Sequence, residues 1–97
     1  MIKSFRDKPT EDIYNGNNTK DARAIPKSIW DVACRKLDML NAMQDLKDIA
    51  VSRGNHLEKL KGELSGYLSI RVNNQYRIIF KWRQGNVESV QIVDYHK

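Results

Sequence analysis

Cysteine is nearly missing from this chain of 97 residues, and Cys34 has no second thiol to pair with. An internal disulfide is therefore excluded, and a reducing cytoplasm is the expected setting. Zinc sites built on paired cysteines are excluded by the same shortage. No apolar run approaches the roughly 18 residues of a membrane span. The opening Met1-Ile-Lys-Ser-Phe-Arg6 lacks the apolar stretch of a signal peptide, so none is expected. The five glycines are scattered, so there is no glycine-rich phosphate loop, and no serine sits in a nucleophile elbow. Repeats, low-complexity segments and linkers are also lacking. What is present, 40% apolar and 30% charged residues, suits one soluble globular domain over 1–97 with a small core.

The formal charge of +5 points towards a polyanionic partner, with nucleic acid or the ribosome the obvious candidates. That charge is unevenly spread. Residues 1–60 hold eleven basic and nine acidic side chains, whereas the remainder holds six against three. The cationic excess thus gathers in the last third.

Hydrophobic spacing separates helices from strands. Ile2 to Phe5 reads as a short first strand. Thr10 to Gly16 reads as one or two helical turns, with Thr10 as cap and Gly16 as stop. Residues 15–23 read as a polar loop. Ile29, Ala33, Leu37 and Leu40 recur at helical spacing, widened by Trp30, Val32 and Met43, and Ser28 is the expected N-cap. Arg35, Lys36 and Asp38 fall on the opposite side. Cys34 lies within this helix, where packing is the favoured role over catalysis. A short turn at 45–49 follows, before Gly54 breaks the pattern.

The remainder alternates with period two. Leu68, Ile70 and Val72 oppose Tyr67, Ser69, Arg71 and Asn73. After a turn at 73–75, Tyr76, Ile78, Phe80 and Trp82 oppose Arg77, Ile79, Lys81 and Arg83. Gln84, Gly85 and Asn86 turn the chain again. Val90 and Ile92 then oppose Ser89, Gln91 and Val93. Helices followed by an antiparallel meander predict an α+β domain, with helices packed on one face of a small twisted sheet. The other face would display Arg71, Arg77, Lys81 and Arg83.

His56 and His96 are the only histidines, and Asp94 is the only acid near His96 in sequence. No residues have metal-ligand spacing, so neither a metal nor another cofactor is expected. Metal-independent RNA cleavage needs a base for the ribose 2′-OH, an acid for the 5′-oxygen, and cations for the phosphorane. Histidine titrates near neutrality and suits either proton role. Arginine's planar fork binds two phosphate oxygens and keeps its charge. His96, Arg77, Arg71 and Lys61 would form such a constellation if they converge, and Tyr95 could stack on a base. A solvated basic face and an incidental histidine explain the same residues.

Longer strings carry a resemblance. Leu60-Lys-Gly62, Gly66-Tyr-Leu-Ser-Ile-Arg71-Val-Asn-Asn-Gln-Tyr-Arg77-Ile-Ile-Phe80 and Val93-Asp-Tyr-His96 resemble the HigB branch of the RelE-like toxins of toxin–antitoxin pairs. Met1-Ile-Lys-Ser-Phe5, Arg35-Lys-Leu-Asp-Met-Leu40 and Gly54-Asn55 extend the similarity over nearly the whole chain. The resemblance implies a RelE-like fold and ribosome-dependent cleavage of mRNA by 2′-OH attack. Its matching positions assign Arg77 to transition-state charge, His96 to general acid or base, and Tyr95 and Asp94 to support. Lys61 matches a lysine implicated in phosphate contact. Arg71 and Lys81 come from the strand-face argument, as substrate contacts.

One departure concerns the general base. Better-known HigB toxins carry a histidine in a His-Pro-Leu-Lys-Gly run, whereas Glu58-Lys-Leu-Lys-Gly62 stands here. Either Glu58 is the base, or His56 substitutes from a shifted loop, or catalysis is weaker; for His56, a solvated loop position is favoured. The implied partners are a helix-turn-helix antitoxin of the HigA kind, the ribosome with its mRNA, and operator DNA reached through the antitoxin. A membrane partner is not expected. A non-catalytic module that binds ribosome or antitoxin is the alternative, and a purely structural subunit leaves the basic face without a use.

Overall fold

The computed structural model describes residues 1–95, so the reading of His96 lies outside the described residues. The helices are α1 (Lys8–Tyr14), α2 (Trp30–Ala42) and the single turn α3 (Lys47–Ala50). The strands are β1 (Glu58–Lys59), β2 (Leu68–Arg71), β3 (Tyr76–Arg83) and β4 (Asn86–Asp94). They form one antiparallel sheet in the order β1-β2-β3-β4. The expected α+β meander is therefore present, with one addition. β1, which shows no alternation in the sequence, pairs Glu58 with Ser69 and Lys59 with Leu68 at the sheet edge.

The core lies between the helices and one face of the sheet. Ala33, Leu37 and Leu40 of α2 are fully buried with Ile70, Ile78, Phe80, Val87 and Val90. Removal of this apolar surface from water is the main stabilising term. The start of α2 differs from expectation. Ser28 does not cap it but lies in a 3₁₀ turn over Lys27–Ile29, entered from Pro26. Proline's fixed φ favours that entry. Trp30 then ties the entry down by donating from Nε1 to the Ile25 carbonyl at 2.8 Å. Cys34 is half-buried, its Sγ is 3.4 Å from the Ile13 carbonyl oxygen, and burial pushes its thiol pKa up. Those surroundings fit packing.

β4 carries both devices that complete the sheet. Val87 and Val90 are three residues apart, the wrong parity for one face of a regular strand, yet both are fully buried. Ser89, at φ 54°, resolves the conflict through a bulge that shifts the register between Ile79 and Lys81. The preceding turn has φ 51° at Gln84 and φ 79° at Gly85, positive at both central residues as a tight hairpin requires.

The outer edge of β4 is covered rather than exposed. Ile2 and Phe5 make parallel bridges to Val87 and Val90, so the expected first strand is present as two bridges rather than a regular strand. Ser4 Oγ accepts the amide of Ser89 at 2.9 Å. Thr10 was the expected cap of α1, but Asp7 caps it, accepting from the Thr10 amide at 3.1 Å. Thr10 instead uses its buried hydroxyl to accept the Ile92 amide at 2.9 Å. A helix side chain thus satisfies a sheet donor that would otherwise be orphaned.

Thr10→Val keeps the shape but leaves the Ile92 amide unpaired, so we expect a loss of about 1–3 kcal/mol in urea unfolding. A second expectation concerns Asp12. Its nearly buried carboxylate accepts from Thr19 Oγ1 at 2.6 Å and Lys8 Nζ at 3.0 Å. The Thr19 hydroxyl first, then Lys8, holds its pKa below the ordinary value. A lowered folded-state pKa means stabilisation that is complete above the unfolded value of about 3.9 and lost as pH falls through the folded one. Asp12→Asn should therefore melt earlier than wild type at neutral pH, with the gap closing below about pH 4.

Candidate functional site

Arg77 stands near the start of β3, on the sheet face turned away from the helices. It is only 7% exposed, contrary to the expectation of a displayed basic residue. Its guanidinium lies instead against Ser69 of β2 and the carbonyl of His56, from the segment that leads into β1. Arg77 Nε donates to Ser69 Oγ at 2.9 Å, and Nη2 donates to the His56 carbonyl and to the Ser69 carbonyl. Glu58 Oε1 lies 3.9 Å from Nη2, and the Tyr95 ring sits 5.2 Å from the guanidinium carbon. Tyr95 Oη is 3.5 Å from the same Glu58 oxygen. Arginine, glutamate and tyrosine therefore close a triangle at one end of the face.

Among the described residues Nη1 of Arg77 makes no hydrogen bond, and no buried side-chain nitrogen is left without a partner. A guanidinium held in this way has its orientation fixed before any ligand arrives, as a preorganised anion contact requires. Glu58, half exposed, and Tyr95, 47% exposed, border it.

His56 enters by its backbone. It is exposed, stands at φ 44°, and its carbonyl oxygen is what Arg77 grips. Asn55, 1% exposed, anchors the preceding step. Its amide donates to the Ile49 carbonyl at 2.9 Å, and its Oδ1 accepts from Lys36 of α2. Lys36 was expected on the solvent side of α2. It is half-buried instead, and desolvation, with Arg35 next to it, lowers its pKa. A chain of contacts thus runs from α2 through Asn55 to the loop that holds Arg77.

The other sequence candidates divide. Asp94 pairs with Tyr76 in register and accepts from Gln75 Nε2 at 3.0 Å, while the Tyr95 amide donates to the Gln75 carbonyl at 2.7 Å. Those contacts pin the 94–95 segment to the β2–β3 turn and so place Tyr95. Arg71, beside Arg77 in register, donates to Asn74 of the same turn. Lys61 is exposed and makes no hydrogen bond or ion pair with the Arg77 cluster. Lys81 lies four residues along β3 with Nζ 5.0 Å from the Tyr67 ring centre. Ser69 and Asn55 were missed in the sequence. Alternation with Arg71 could have flagged Ser69, but nothing local signals a buried asparagine. Among the described residues no group of three or more His, Cys, Asp or Glu side chains could hold a metal ion, and no helix is long and apolar enough to cross a membrane.

Comparison with known proteins places the whole chain in a family. A family model described as the RelE-like toxin of the type II toxin–antitoxin system HigB matches residues 3–96. Toxin HigB-1 of Vibrio cholerae is 45% identical over 85 residues, 88% of this chain and 87% of the relative. An uncharacterized protein of Haemophilus influenzae is 35% identical over 88 residues, 91% of this chain and 85% of its own length. In a heterotetrameric YoeB–YefM toxin–antitoxin complex from Staphylococcus aureus, one chain superposes with a TM-score of 0.60 at 18% identity, covering 100% of this chain and 99% of that one. A second YoeB–YefM complex gives 0.56. These structural matches establish the RelE-like fold, and the sequence matches go further: the chain belongs to the HigB-like family of toxins from type II toxin–antitoxin systems.

Proposed function

We propose that this toxin is a ribosome-dependent endoribonuclease that cuts mRNA by metal-independent attack of a ribose 2′-OH on the adjacent phosphodiester. The observation that carries the reading is the clamped Arg77 guanidinium, bordered by a carboxylate and a phenol at one sheet end. In the proposed reaction Glu58 takes the 2′-OH proton, in the place where better-known relatives have histidine. The freed oxygen forms a bond to phosphorus as the bond to the 5′-oxygen breaks. His96, next to Tyr95 in sequence, gives the leaving oxygen its proton. The products are a 2′,3′-cyclic phosphate and a 5′-hydroxyl. Arg77 takes the charge of the phosphorane, and transition-state donors of this kind typically account for about 10²–10³ in rate. Tyr95 orients Glu58 and covers the guanidinium. Arg71 and Lys61 lie outside the triangle and serve the flanking backbone.

In this reading the protein acts in the cytoplasm, where ribosomes hold the message. A helix-turn-helix antitoxin of the HigA kind neutralises it and brings it to operator DNA as co-repressor. The partial saturation of Arg77 by the His56 and Ser69 carbonyls and by Glu58 also suits a weaker toxin that occupies the ribosome without cutting.

Primer extension on a translated message separates the two. New ends inside codons are expected from wild type. Glu58→Gln should lower cleavage about 10²-fold or more, as loss of a general base does, and His96→Ala likewise. Arg77→Lys tests the fork while keeping a charge, with a similar loss expected. Thermal melts of each variant exclude unfolding as the cause. Growth arrest with no cleavage at all would favour the non-catalytic module.

A further inference from the structure

We propose that Arg6, Tyr67 and Lys81 form a second subsite, which binds a phosphate of single-stranded RNA flanking the one held at Arg77. The identification of the strand as message rests on the nuclease reading; the subsite itself rests on geometry. Lys81 Nζ lies 5.0 Å and Arg6 Cζ 5.3 Å from the centre of the same Tyr67 ring. Their separation cannot exceed the sum of those distances, which is on the order of the Debye length of ~10 Å at 0.1 M salt. Two like charges are thus held together on one aromatic side chain, an arrangement that a polyanion relieves.

The three residues come from separate elements. Lys81 is on β3, Tyr67 immediately precedes β2, and Arg6 follows Phe5, which bridges to β4. In register terms all fall on the sheet face that carries Arg77. No acid neutralises them: among the described residues neither Arg6 nor Lys81 forms an ion pair. Glu88, opposite Lys81 in register, meets Arg83 at 3.7 Å. Asp7, next to Arg6, accepts instead from Gln91 Nε2 at 3.0 Å. Gln91 in turn accepts from Arg6 Nη1 at 3.4 Å, which steadies the guanidinium without taking its charge.

Distance and surface favour an extended strand. Arg77 and Lys81 are four residues apart on β3, about 13 Å at the usual rise per residue. Between them lie Ile79, fully buried, and its register partners Ser69 and Gln91. Acidic side chains reach only the two flanks of this middle row, Glu58 opposite Ser69 and Asp7 on Gln91, and Ile79 occupies its centre. A single strand crossing it would meet the reacting group first and Arg6 with Lys81 at a neighbouring phosphate. Tyr67 is a positioning residue here, since it holds the cations together.

The test measures binding of a short labelled single-stranded RNA, fully 2′-O-methylated so that it cannot be cut, over a range of salt. Each cation that meets a phosphate contributes about 0.7 to the slope of log K against log salt. The Arg6→Gln, Lys81→Gln double variant should lose about 1.4 of that slope and about tenfold or more in low-salt affinity. Lys81→Arg and Tyr67→Phe should keep both, whereas Tyr67→Leu should lower both. Lys20→Gln with Lys27→Gln removes equal charge from the helical side and should leave the slope unchanged. A double variant no different from that control overturns the subsite, even if wild type cleaves message normally. So does wild-type protein that binds no RNA, or a loss confined to antitoxin binding. The expected slope change in a protein that cuts nothing supports the subsite and removes the nuclease instead.

Discussion

The buried guanidinium of Arg77 is the constraint around which this end of the molecule is arranged. An arginine this enclosed must have its donors met, because an unpaired buried charge costs several kcal/mol. Ser69 and the His56 carbonyl meet them from two different segments. That requirement explains two features otherwise without a purpose. The two-residue strand β1 is too short to be stable by itself, yet it places Glu58 opposite Ser69. His56 adopts the left-handed backbone region, uncommon outside glycine, and in doing so presents its carbonyl. Both trace back to one side chain.

The same economy governs the other edge. β4 must bury Val87, Val90 and Ile92 together, and the Ser89 bulge makes this possible. The bulge leaves an amide for Ser4 to satisfy, and the neighbouring strand edge is closed by Ile2, Phe5 and Thr10. An edge strand left open would be a template for aggregation. Here the segment that covers it also carries Arg6 to the functional face. Packing and charge placement are thus solved by the same few residues.

The meander was legible because its signals are local. Alternation at Leu68, Ile70 and Val72 and at Tyr76, Ile78 and Phe80 marks β2 and β3 without reference to the rest of the chain. Helical spacing at Ala33, Leu37 and Leu40 does the same for α2. What was not legible depended on distant partners. Arg77 reads as one of a row of surface cations until the segment leading into β1 meets it, and β1 has no pattern of its own. Thr10 reads as a cap because capping is what threonine does near a helix start, yet Ile92 claims its hydroxyl from 82 positions away. Lys36 reads as solvent-facing for the same reason. Of the site, Arg77, Glu58 and Tyr95 were named from sequence and do converge, whereas Lys61 stands apart and Asn55 and Ser69 came only from the fold.

The parallel bridges between Ile2–Phe5 and β4 also set an order of events during synthesis. The segment that carries Arg6 is made first, but its hydrogen-bonding partners at Val87 and Val90 are among the last described residues to leave the ribosome. Contacts so distant in sequence form late and slowly compared with local ones. Tyr95, which completes the other end of the face, is later still. Neither end of the sheet face that holds Arg77 can therefore assemble on a nascent chain before β4 has emerged, so that face closes only after every other element of the fold has been made.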